Sequence, residues 1–182
     1  MGGKAYALVT AAFNEEALID RTIASVLAQH HRPIRWIIVS DGSTDGTDAI
    51  VARHAAQHEF LRLLRITKRH PRNFTAQVNA INAGFAELKN VAYDFIGNFD
   101  ADITLRPDYF ERLLELFERD AELGLAGGCI HEPHKRGDFR ARKTNSPRSV
   151  PHAVQLFRRE CFEQVQPYVP LPHGGSDSYA EV

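Results

Sequence analysis

Short, nearly continuous apolar runs alternate with amphipathic stretches through the first 105 residues, and each apolar run stops at a polar cluster. This alternation restricts the fold more than any other property of the chain. The run YALVTAA, Tyr6 to Ala12, reads as a strand buried on both faces and ends at the polar turn FNEE. From Ala17 to Gln29, Leu18, Ile19, Ile23, Val26 and Leu27 recur at helical spacing, and Glu15 and Glu16 favour the positive end of that helix. The plan then repeats. Arg35 to Ser40 is a strand, a turn of Asp, Gly, Ser and Thr follows, and a helix starts near Thr44 to Thr47. Leu61 to Ile66 is the next strand, joined by the basic loop TKRHPRN to a helix over roughly Thr75 to Glu87. YDFIGNF, Tyr93 to Phe99, is the fourth strand. Strands returned by helices pair in parallel with right-handed crossovers. The expected fold class is therefore α/β, a mainly parallel central sheet with helices on both faces.

Beyond Asp102 the pattern loosens. Pro107 suits a first helical turn and DYFERLLELFER is strongly amphipathic. LGLAGGCI reads as a further strand, in which Cys129 is expected to be buried filler. Residues 131–151 are polar, basic and almost free of aliphatic side chains, which predicts a mobile surface loop. HAVQLFRRECFEQV returns to a strand and a short helix, and PLPHGGSDSYAEV reads as the beginning of another helix with Asp177 near its N-terminus.

Lys and Arg number 22 against 23 Asp and Glu, for a formal charge of −1, so bulk electrostatics gives no case for nucleic acid or an anionic membrane surface. Any anionic ligand must be held locally. With only Cys129 and Cys161, the chain has neither a disulfide framework nor a Cys-rich zinc site, and a reducing, cytoplasmic setting is expected. No apolar run approaches the ~18 residues of a membrane span.

Ligands of parallel α/β sheets sit at the carboxyl ends of the strands. Asn14-Glu15, Asp41-Gly42-Ser43, Lys68 to Asn73 and Asp100 to Asp102 all fall there. Two carboxylates as close as Asp100 and Asp102 raise each other's pKa unless a cation or a set of donors compensates them. An Asp-x-Asp in this place suits Mg²⁺ or Mn²⁺, whose remaining positions phosphate oxygens and water fill. The plainer reading is that Asp102 or Asp108 caps the following helix. Asp41 can accept hydrogen bonds from a planar base, and Phe13 offers a face for stacking on one, although an aromatic there also serves as core. Any of Lys68, Arg69 and Arg72 can neutralise a diphosphate, or simply form a solvated basic loop. His131, Glu132 and His134 lack the spacing of a helical zinc motif, and Gly2-Gly3-Lys4 precedes its strand where a phosphate loop would follow.

Taken in order, VTAAFNEE, IIVSDGSTDGT, NAINAG, NFDADI, FRRECFEQV and GGSD resemble the family 2 glycosyltransferases, inverting nucleotide-sugar enzymes of the Rossmann-like GT-A fold. The resemblance implies one domain over 1–182, with 1–105 its nucleotide-binding half and 106–182 part of the acceptor-side half. It implies that Asp41 binds the base, that Phe13 stacks with Asn14 beside it, that Asp100 binds ribose, and that Asp100 and Asp102 hold the metal bridging the diphosphate. It further implies a nucleoside-diphosphate sugar donor, a hydroxyl acceptor and Asp177 as catalytic base. Asn82 matches a family asparagine with no evident chemistry beyond the fold. The family's Glu-Asp pair is Ser176-Asp177 here, and the family's later helices, some with membrane spans, are expected to lie beyond a shortened C-terminus. Membrane association, at a cytoplasmic face, would then come only through those missing segments. The competing expectations are a nucleotide-sugar-binding module without transfer activity and a sugar nucleotidyltransferase.

Overall fold

The structure is a computed structural model and describes residues 4–67, 73–134, 138–141 and 150–170. Strands β1 (Tyr6–Ala12), β2 (Arg35–Asp41), β3 (Leu61–Ile66) and β4 (Phe95–Phe99) alternate with helices α1 (Ile19–Leu27), α2 (Thr47–Ala55) and α3 (Phe74–Ala86). Then come α4 (Tyr109–Arg119), β5 (Leu125–Ala126), β6 (His131–Pro133), β7 (Phe139–Ala141), β8 (Val154–Arg158) and α5 (Arg159–Val165). Six strands form one sheet in the order β3-β2-β1-β4-β8-β5. β1, β2, β3 and β4 run parallel, while β8 is antiparallel to both β4 and β5.

β1 shows why the apolar runs are continuous. Successive side chains of a strand point to opposite faces. Tyr6 and Leu8 enter a core with Ile19, Ile23 and Val26 of α1, Val51 of α2 and Phe110, Leu113 and Phe117 of α4. Ala7 and Val9 enter a second core with Val78, Ile81 and Phe85 of α3 and Phe162 of α5. Neither face of the central strands reaches water, so neither alternates with polar residues.

From β1 the chain builds outward through β2 and β3 on one side and then crosses to β4 on the other. The strand order reverses between β1 and β4, and a crevice opens at their carboxyl ends. Close backbone approach keeps this centre tight. A Cβ on Gly97, in the middle of β4, would overlap the Gln155 carbonyl of β8.

Asn82 has a structural task that its sequence position does not reveal. Its Nδ2 donates to the Tyr168 carbonyl at 2.8 Å and its Oδ1 accepts from the Tyr168 N–H at 3.0 Å. Tyr168, buried, donates its hydroxyl to Asn98 Oδ1 at 3.0 Å. The chain after α5 is thereby fastened to α3 and to β4.

The later half departs from expectation in three places. His131–Pro133 and Phe139–Ala141 pair as an antiparallel hairpin where a loop is predicted. All of these residues are exposed, so the hairpin rests on backbone hydrogen bonds and leaves no apolar alternation to read. Cys129 is exposed rather than buried filler. The strand expected across LGLAGGCI is only Leu125–Ala126, because beyond it Gly128 donates its N–H to the Tyr109 hydroxyl and leaves the ladder. No helix among the described residues is long and apolar enough to cross a membrane.

Gly97→Ala is expected to lower unfolding stability by about 1–3 kcal/mol, the usual cost of overpacking a close-packed site. Urea denaturation followed by circular dichroism measures it, and an unchanged midpoint would contradict the close approach of β4 and β8.

Candidate active site

The crevice at the ends of β1, β2 and β4 is a cavity of about 370 Å³. β1 delivers Ala11, Ala12 and, just past its end, Phe13 and Glu15; β2 delivers Asp41; the turn after β4 delivers Asp100, Ala101 and Asp102. Asn73, Phe74, Ala76 and Gln77 close it from the first turn of α3. Phe13, Asp41, Asp100 and Asp102, expected from sequence to act together, therefore do share one space.

Asp41 is buried at 9 % exposure, Asp102 is exposed, and Asp100 lies between them in accessibility. Burial raises the Asp100 pKa to about 6, with the neighbouring charge of Asp102 as the next cause and that of Glu15 adding to it. Gln77 opposes the shift by donating from Nε2 to Asp100 Oδ1 at 3.0 Å. Among the described residues, no ion pair involves Asp41, Asp100 or Asp102. The plainer role for Asp108 does not hold either. It makes no side-chain cap to α4 and instead accepts from Arg112 Nε at 2.7 Å and Arg106 Nε at 3.3 Å.

α3 adds a field of the opposite sign. Its N-cap, Asn73, accepts from the Ala76 N–H at 2.8 Å, and the first turn of this 13-residue helix lines the cavity. The N-terminal end of a helix carries partial positive charge and free N–H groups, which favour anions there.

Asn14 is not among the residues lining the cavity. Its polar groups join the neighbouring loop, Oδ1 accepting from the Thr44 N–H at 2.8 Å while its own N–H donates to Ser43 Oγ at 3.2 Å. Its backbone is left-handed, with φ of 56°, directly after Phe13. The neighbouring polar residues join the same two loops. Glu15 N–H donates to Thr47 Oγ1 at 2.8 Å, Glu16 N–H to Asp45 Oδ2 at 3.1 Å, and Gly46 N–H to Glu16 Oε2 at 2.9 Å.

Lys68, Arg69, Arg72 and Asp177 lie outside the described residues. His131, Glu132 and His134 sit on the exposed hairpin, away from the cavity, and His134 approaches Asp138 at 3.5 Å. Asn73 closes the Lys68 to Asn73 cluster read from the sequence, whereas Gln77 is a cavity-lining residue that sequence reasoning did not single out. The available signal was a polar residue one turn after a capping asparagine, on a helix otherwise rich in Ala, Val and Ile.

A family model described as Glycosyl transferase family 2 matches residues 7–174. The chain belongs to glycosyl transferase family 2. Among curated relatives, it is 29% identical over 118 residues to the poly-β-1,6-N-acetyl-D-glucosamine synthase of Staphylococcus aureus, a match covering 65% of this chain and 26% of that protein. The synthase of Staphylococcus epidermidis is 28% identical over 119 residues, with the same coverage. The chain thus spans about a quarter of the length of these family members. Among solved structures, the mannosyltransferase PcManGT of Pyrobaculum calidifontis, in complex with GDP-Man and Mn²⁺, superposes with a TM-score of 0.64 at 20% identity, over 90% of this chain and 47% of that one. S. aureus TarS 1–349 in complex with UDP gives 0.52 at 19% identity, over 63% and 32%. The fold of this family 2 chain is that of GT-A glycosyltransferases.

The raised pKa of Asp100 has a stability consequence whose sign is opposite to that of a salt-bridged carboxylate. Between its ordinary value of 3.8 and about 6, the folded metal-free protein binds this proton more tightly than the unfolded chain does. Stability from this group therefore falls as pH rises through that window and stays reduced above it, by about 1–3 kcal/mol. Asp100→Asn is expected to melt higher than the wild type at pH 7.5 without metal, the gap closing towards pH 4. A gap absent at pH 7.5, or constant with pH, would contradict the assignment.

Proposed function

We propose that this family 2 domain binds a nucleoside-diphosphate sugar and transfers the sugar, with inversion at the anomeric carbon, to a hydroxyl acceptor. One observation carries the reading: Phe13, Asp41, Asp100 and Asp102, from three separate strand ends, line a single cavity against the first turn of α3. The ligands of the fold relatives, GDP-Man with Mn²⁺ in one and UDP in another, belong to the class that such a cavity fits.

Phe13 supplies the face on which a nucleobase stacks, and Asp41 accepts hydrogen bonds from its N–H groups. The α3 N-terminus faces the phosphates. A divalent ion fits the carboxylates present, because hard oxygen ligands in excess of local positive charge are what Mg²⁺ or Mn²⁺ requires. Asp102 and Asp100 would hold it, and when bound it neutralises the charge of the departing nucleoside diphosphate. Among the described residues, no three His, Cys, Asp or Glu side chains gather into a metal site. Phosphate oxygens and water suit the ion's remaining positions. Gln77 keeps one Asp100 oxygen engaged and orients the other.

In the transfer itself, the acceptor oxygen bonds to the anomeric carbon as the bond from that carbon to the phosphate oxygen breaks. Asp177 takes the acceptor's proton as general base. Its own carboxylate suffices for that role without the glutamate that precedes it in the family pattern.

Binding and transfer are separable by two variants. Asp102→Ala is expected to abolish Mn²⁺-dependent nucleotide binding in a calorimetric titration, whereas Asp177→Asn is expected to bind the donor as the wild type does and to transfer nothing. Undiminished binding by the first would refute the metal assignment, and turnover by the second would remove Asp177 as base.

A further inference from the structure

The two residues assigned to the base end of the cavity sit on different loops, and each is followed immediately by a residue with left-handed backbone. Asn14 follows Phe13 with φ 56°, and Gly42 follows Asp41 with φ 69°. The chain reverses at once after each. Left-handed φ at a residue other than glycine is uncommon, and asparagine is among the few that adopt it readily.

Between these loops the polar groups are matched. Asn14 accepts from Thr44 N–H at 2.8 Å and donates its N–H to Ser43 Oγ at 3.2 Å, and Ser43 is itself reached by Ser40 Oγ at 3.1 Å. Asp45 accepts from Glu16 N–H through one oxygen, and through the other from Thr47 N–H at 3.0 Å and Thr47 Oγ1 at 2.6 Å. Glu16 returns the contact by accepting from Gly46 N–H at 2.9 Å. The approach is close, since a Cβ at Gly46 would stand 2.8 Å from the Glu16 carboxyl carbon and displace that side chain. Backbone donors of each loop are therefore satisfied by side chains of the other. The Asp100 turn is held separately, by Gln77 Nε2 on Asp100 Oδ1, Thr22 Oγ1 on the Ala101 carbonyl and the Asp100 N–H on the Ala153 carbonyl.

Resting on the nucleotide-binding reading above, we propose that Asn14, Glu16 and Asp45 form a positioning set that fixes the separation of Phe13 from Asp41 before ligand arrives. None of the three is among the residues lining the cavity. They act through the two that are, Phe13 and Asp41, and so govern the base end of the cavity and not its metal end.

The test uses three variants at Asn14 and two probes. Asn14→Asp keeps both the acceptor oxygen and the tolerance of left-handed φ; Asn14→Gly keeps the φ but loses the interlock bond; Asn14→Ala loses both. Glycine adopts this φ without strain, so Asn14→Gly is expected to fold, and its thermal unfolding verifies that. Affinities are measured by calorimetry for UDP and GDP with Mn²⁺, and for inorganic pyrophosphate with Mn²⁺, which has no base to position. Loss of one hydrogen bond that holds a binding geometry corresponds to roughly a three- to tenfold weakening. The expected result is that Asn14→Gly weakens the preferred nucleotide by that factor, Asn14→Ala by at least as much, Asn14→Asp by under about twofold, and that pyrophosphate binding is unchanged throughout. Nucleotide affinity of Asn14→Gly equal to the wild type, or a parallel loss for pyrophosphate, would overturn the positioning role. A wild-type chain that binds neither UDP nor GDP would instead overturn the functional reading itself.

Discussion

Asp100 and Asp102 end a strand buried on both faces, and the energy of their negative charge shapes everything around them. A carboxylate held there pays for desolvation and for the nearby charges of Asp102 and Glu15, which is why the Asp100 proton persists to about pH 6. Packing cannot relieve this, because the strand's apolar neighbours offer no counter-charge. The groups that do lower the energy are the Gln77 amide and the positive end of α3. They leave a cavity whose carboxylates favour a cation and whose helix end favours an anion, the basis of the metal-bridged diphosphate proposed for it.

The scaffold makes such crowding tolerable. Reversal of strand order between β1 and β4 opens the sheet only at its carboxyl edge, while the two cores on either face hold the strands rigidly. Close backbone approaches at Gly97 and Gly84 bring β8 and α3 hard against β4 and β1. Unfavourable electrostatics at one edge is thereby offset by dispersion and apolar burial distributed through the sheet.

How much of this was legible beforehand varied with the kind of physics involved. β1 begins and ends where its apolar run does, since a strand buried on both faces leaves an unbroken hydrophobic signature. The carboxylate cluster was legible for a related reason: charge at the end of such a run has no packing explanation. The loop bonds of Asn14 were not legible, because its type suits ligand contact and loop bonding equally and its left-handed φ leaves no mark in the sequence. Gln77 was passed over because its partner lies 23 residues away and local spacing cannot disclose it. The β6–β7 hairpin escaped because exposed strands held by backbone hydrogen bonds impose no alternation. Asn82 showed no chemistry because its task is to fasten Tyr168, on a segment 86 residues distant.

The central claim is mutual dependence: the crowded carboxylates admit the diphosphate only with a divalent ion, and the ion only with the diphosphate. Ligands that bind the native state raise its melting temperature. The most direct measurement compares the melting temperature with Mn²⁺ alone, with a nucleoside diphosphate alone and with both. The expected result is a rise for the pair well beyond the sum of the two separate shifts. Additive shifts, or no shift with any nucleoside diphosphate in the presence of Mn²⁺, would contradict it.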